Sequence, residues 1–153
     1  MPVVADPDLG AAIMQHMRAC TELVTEVGTI QRIFLEWPKD LVVPTTEGKY
    51  LNCVLIETGK GGPGDIGLSL KDERVTIKYY GANRMVANNL YRLGNSYLIP
   101  PGERTISSFK RANCSVKTVF SEGVGLRLRD PDASNWHFVE ASYIFRYSRI
   151  PIS

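Results

Sequence analysis

The stretch from Lys71 to Leu93, KDERVTIKYYGANRMVANNLYRL, changes its apolar period once, with no linker between the two halves. Val75, Ile77 and Tyr79 alternate with Arg74, Thr76 and Lys78, the two-residue period of a strand with one dry face and one wet face. Beyond Gly81, the residues Met85, Val86, Asn89, Leu90 and Leu93 recur at helical spacing. Asn83 stands where a side chain can cap the first turn, and Gly94 offers a stop. A strand that feeds straight into an amphipathic helix leaves few choices, because the helix must bury its stripe and the sheet beside it is the nearest cover. No phosphate loop or catalytic dyad sits at the junction, so the unit reads as scaffold.

The remaining segments supply partners for that unit. Asp6-Pro7-Asp8 is a helix start, and Leu9, Ile13, Met17, Cys20, Val24 and Val27 form one stripe through a helix that Gly28 ends. In TIQRIFLEWP, Ile30, Arg32, Phe34 and Glu36 alternate with Gln31, Ile33, Leu35 and Trp37, which predicts a short strand stopped by Pro38. The continuous apolar run of YLNCVLIET predicts a strand buried on both faces. GKGGPGDIG lacks the GxxxxGK[ST] spacing and precedes no helix pattern, so it reads as a long exposed hairpin connection. IPPGERTISSFKRAN is polar, turns at Pro-Pro-Gly and reads as a long loop. From Cys114 onward the pattern is strand, Glu-Gly turn, strand, Asp-Pro-Asp turn and a long final strand, an antiparallel meander. The expected fold class is α+β, a mainly antiparallel sheet of about five to six strands with two packed amphipathic helices. It forms one unit over residues 1–153, with long loops near 59–67 and 99–113.

Composition bounds function more than it reveals it. A chain of 153 residues that is 44% hydrophobic and 22% charged can bury one core. The net charge of +2 falls short of the basic excess of a dedicated nucleic-acid binder. No apolar run approaches the roughly 20 residues that cross a bilayer, and no secretory signal is legible, so no membrane association is expected. Cys20, Cys53 and Cys114 are far apart and lack CxxC spacing, which fits buried free thiols made in a reducing cytoplasm. His16 and His137 have no carboxylate at metal-ligand spacing, and DPDASNW reads as a tight turn because an EF-hand's further ligands do not line up. No catalytic, metal or cofactor set is expected, and the chain does not read as an enzyme. The basic segment with Arg104, Lys110 and Arg111 reads as a solvated surface or as a contact for an acidic surface or phosphates, with Phe109 as a stacking group.

The order of these elements resembles the tail terminator, or tail-completion (head-tail joining), proteins of long-tailed phages and related gene-transfer particles. Arg32-Ile33 with Pro38, Val75 to Tyr79 with Gly81, and Arg129-Asp130-Pro131 take the places of that family's recurring motifs, over roughly Leu9 to Tyr147. The resemblance implies a virion structural protein without enzymatic activity or cofactor. It implies a homo-oligomeric ring, commonly a hexamer, on the head-proximal end of the tail tube. There the ring ends tube growth and offers a docking face to the neck, or head-completion, protein, and genomic DNA passes through its lumen without sequence reading. Head-to-tail contacts in a ring need two different surfaces. Candidates are Lys60 and Asp65 in the glycine-rich loop, Arg104, Phe109, Lys110 and Arg111 in the basic loop, and Phe34 and Trp37 on the edge of TIQRIFLEWP. A head-completion or stopper subunit of the neck, a small nucleic-acid-binding module and an enzyme with a spatially assembled Cys-His site remain as alternatives.

Overall fold

The computed structural model describes residues 7–37, 52–59, 64–65, 70–100, 108–130 and 136–149, with the backbone alone at 64–65 and 149. The strands are β1 (Ile33–Phe34), β2 (Cys53–Glu57), β3 (Gly64–Asp65), β4 (Lys71–Gly81), β5 (Phe109–Arg111), β6 (Cys114–Ser121), β7 (Leu126–Arg129) and β8 (His137–Arg149). They form one sheet in the order β1-β2-β4-β8-β6-β5. β8 is its spine. One side of β8 pairs with β4 from Gly81↔His137 to Lys71↔Tyr147, and the other side takes β7 along its first part and β6 along the rest. The expected meander is therefore rearranged: β6 and β7 lie end to end on β8 instead of pairing with each other. The sheet is antiparallel except at β1, which runs parallel to β2. The α+β class holds, with a mixed sheet.

Among the described residues three helices, α1 (Leu9–Arg18), α2 (Thr21–Val27) and α3 (Arg84–Leu98), cover one face. The single helix expected from Leu9 to Val27 is two, because Cys20 is extended (φ −79°, ψ 103°). The Ala19 and Cys20 amides donate to His16 and Met17 carbonyls at 3.1 Å, a tighter closure than the α-helical one. Cys and Thr are both weak helix formers, so Cys20-Thr21 is where the helix yields. The break re-aims the second segment, which buries Leu23 and Val27 and leaves Val24 half-buried. Gly28 ends α2 in the left-handed region at φ 96°, as its position predicts.

Asn83 caps α3 as expected, its Oδ1 accepting from the Val86 amide at 3.0 Å. Gly94 does not end that helix. It lies buried inside α3, where a Cβ would come within 2.4 Å of the Tyr79 ring, so the position is small to let α3 settle on β4. TIQRIFLEWP supplies two strand residues instead of a full strand, since Ile30–Arg32 is a 3-10 turn opened by Thr29, whose Oγ1 accepts from the Gln31 amide at 3.4 Å. The loop expected over 99–113 gives up its last part to β5 and to a two-residue turn at Ala112-Asn113, both at positive φ (47° and 59°). Such paired left-handed residues match the twist of a hairpin. Within the glycine-rich connection, Gly64–Asp65 pairs with Lys71–Asp72.

The core has two parts, one on each face. Beneath the helices, Ile13, Met17, Leu23, Ile77, Tyr79, Leu90, Tyr143 and Phe145 are buried together. The Tyr79 and Tyr143 hydroxyls meet at 3.4 Å, and Tyr143 donates to Asn95 Oδ1 at 2.9 Å, so the buried polar groups find partners. On the opposite face Phe34, Cys53, Leu55, Tyr80, Trp136 and Phe138 form a second cluster. Asn52 ties the two layers at one end, donating to the Glu26 carbonyl (3.3 Å) and accepting from the Ala82 amide (2.9 Å).

Candidate interaction surfaces

The sheet order sends the proposed contact residues to opposite edges, with β1 outermost on one side and β5 on the other. At the β1 edge, Phe34 is 4% exposed and belongs to the second core cluster, so it is a core residue and no surface anchor. Trp37 is 39% exposed and covers that cluster, with ring centroids 5.3 Å from Phe34, 5.2 Å from Tyr80 and 5.5 Å from Trp136. Three aromatic neighbours thus hold the indole at tilted and edge-on angles while part of it stays exposed. Exposed Glu36 adjoins it.

At the other edge, Phe109, Lys110 and Arg111 make up β5. The two basic side chains are exposed. Phe109 is half-buried and has one face taken, because the His16 ring lies flat on it at 3.8 Å with an interplanar angle of 4°. His16 also stacks on Tyr97 at 4.6 Å, so the three rings lock β5 onto α1 and α3. Burial and the nearby Arg111 charge push the His16 imidazole down to about 4. Asp65 lies in β3, its backbone paired with Lys71. Lys60 and Arg104 lie outside the described residues.

Between the edges, the face away from the helices carries an ionic ladder that the sequence reading did not single out. Lys78 meets Glu57 at 2.8 Å, Arg146 grips Asp72 through both Nε (3.0 Å) and Nη2 (3.2 Å), and Arg74 meets Glu122 at 2.7 Å. Beside it, Phe120, Leu126 and Leu128 are exposed, with the Arg146 guanidinium 5.4 Å from the Phe120 ring. The alternation of LRLR in β7 was the available signal: it sends Leu126 and Leu128 to this face with Glu140 and Phe138, and Arg127 and Arg129 to the helix side.

The surroundings of the thiols bear on the Cys-His alternative. Burial pushes Cys53 and Cys114 up to about 12 and raises Cys20 as well, so none of the three is poised as a thiolate. Among the described residues no group of three His, Cys, Asp or Glu side chains could hold a metal ion. Among the described residues no helix is long and apolar enough to cross a membrane.

No protein-family model and no curated protein matches the sequence. Among solved structures, a chain of the virion of the native gene transfer agent particle shares the fold with a TM-score of 0.60. The alignment covers 92% of this chain and 94% of that chain at 15% sequence identity.

Proposed function

We propose that this chain is a virion structural protein, a tail terminator that closes into a ring on the head-proximal end of a phage-like tail tube. The ring ends tube growth and presents a docking face to the neck. The observation that carries the proposal is the shared fold, nearly end to end, with a chain of a gene transfer agent virion. The two sheet edges support it, because they differ as a head-to-tail contact requires: one offers Trp37 beside Glu36, the other Lys110 and Arg111. The partners of this reading are further copies of the chain, most simply as a hexamer, the tail-tube protein and the neck or head-completion protein. Genomic DNA crosses the lumen without sequence-specific binding. The site of action is the virion, and no enzymatic step is assigned.

Light scattering on the purified protein, across concentration and salt and with or without tail tubes, tests this. A discrete closed oligomer, alone or on addition of tubes, is the expected result, with rings visible at tube ends by electron microscopy. A monomer that ignores tubes overturns the reading. Co-sedimentation with DNA-filled heads but not with tails would move the chain to the neck as a stopper.

A further inference from the structure

A cleft of about 390 Å³ opens between the first turns of α3 and the strands β7 and β8. Ala87 and Val139, both buried, form its floor, and Arg84, Arg127, Arg129 and His137 stand around it. The arginines differ from others in the fold. Arg18 and Arg32 are spent on the Ile33 and Val27 carbonyls, at 2.9 Å each, and Arg74 and Arg146 on Glu122 and Asp72. By contrast Arg84 and Arg129 form no ion pair with a described carboxylate, and Arg127 reaches the neutral Asn88 Oδ1 at 3.1 Å. Neither α3 nor β7 contains an Asp or Glu, so the cleft walls that these two elements supply carry positive charge alone.

The shape narrows the class of anion. Nucleic-acid phosphates would use the arginines but would gain nothing from a recessed apolar floor, whereas a polypeptide side chain fits it. β7 also pairs on one side alone among the described residues, with β8, and its other side is the kind of edge to which an extended chain can add through its backbone. We propose that this cleft receives an extended acidic segment of a partner protein, whose carboxylates pair with Arg84, Arg127 and Arg129 and which rests one apolar side chain on Ala87 and Val139. The inference stands apart from the ring, since it requires neither self-association nor a tail.

Fluorescence anisotropy with the full chain tests it, using a labelled peptide of alternating Glu and Leu, the matching Gln-Leu peptide and a labelled DNA duplex at equal ionic strength. The acidic peptide binds, and the Gln-Leu peptide binds about tenfold more weakly or worse, as expected for losing charge-assisted hydrogen bonds. R127Q/R129Q and R84Q each weaken the acidic peptide, R127K/R129K restores part of the affinity, and K117Q, on β6, leaves it unchanged. Absence of peptide binding, or affinity indifferent to all three arginines, overturns the proposal. Duplex binding tighter than peptide binding and lost in R127Q/R129Q also overturns it, and would assign the cleft to phosphates.

Discussion

A methyl group added at Gly94 would collide with the Tyr79 ring, which is fixed by its own burial and hydroxyl contact, so the helix would have to lift. Gly94→Ala gains about 1 kcal/mol of helix propensity but overpacks the core at a cost of about 1–3 kcal/mol. The expected outcome is a net loss of stability in urea denaturation. At Ala112 the sign reverses: its φ of 47° costs an ordinary residue roughly 1–2 kcal/mol, so Ala112→Gly should raise the urea midpoint. His16 predicts a pH dependence. Its imidazole is held neutral in the fold, down at about 4 against 6.5 for a freely solvated imidazole, so between these values the unfolded chain binds the additional proton. Its contribution is complete above pH 6.5 and is lost as pH falls toward 4. His16→Gln should flatten that part of the stability profile, measured by urea denaturation at pH 7 and pH 4.5. Asn83 and Gly28 were readable in the sequence because capping is decided within one turn of chain. The role of Gly94 was not, because it depends on a ring in another element.

Elements with long, regular alternation were also readable. β4 and β8 run where their two-residue periods place them, since each one-residue slip would turn every buried side chain outward. β1 was over-extended because alternation in TIQRIFLEWP is outweighed by local bonds: Thr29 opens a turn, and the Arg32 guanidinium reaches back to the Val27 carbonyl at 2.9 Å. The opposite faces of β7 were written in LRLR, but their meaning depended on which strand β7 would join. Between elements, Asn52 acts as a tie, bonding the end of α2 and the turn before α3 with one side chain. Asn52→Ala should cost about 0.5–1.5 kcal/mol by removing these two hydrogen bonds at positions that water can partly serve, read as a lower thermal midpoint.

At the scale of the molecule, the fold class was legible and the strand order was not, because a parallel β1 and the sharing of β8 by β6 and β7 are long-range choices that no local pattern encodes. That order is what separates Trp37 from Lys110 and Arg111. Lys110→Glu with Arg111→Glu should lower the oligomer mass in light scattering while leaving the thermal midpoint of the subunit nearly unchanged, since both side chains are exposed. A fall in the midpoint without a change of mass would place the contact elsewhere. The position of β8 also has a consequence in time. β4, β6 and β7 each leave one edge to a strand that is made after every one of them, so a chain still being synthesised holds those edges open until residue 149 has left the ribosome. The joining of β4 to β6 and β7 is therefore a late event, and any pause in translation before Trp136 lengthens the interval in which those edges can find the wrong partner.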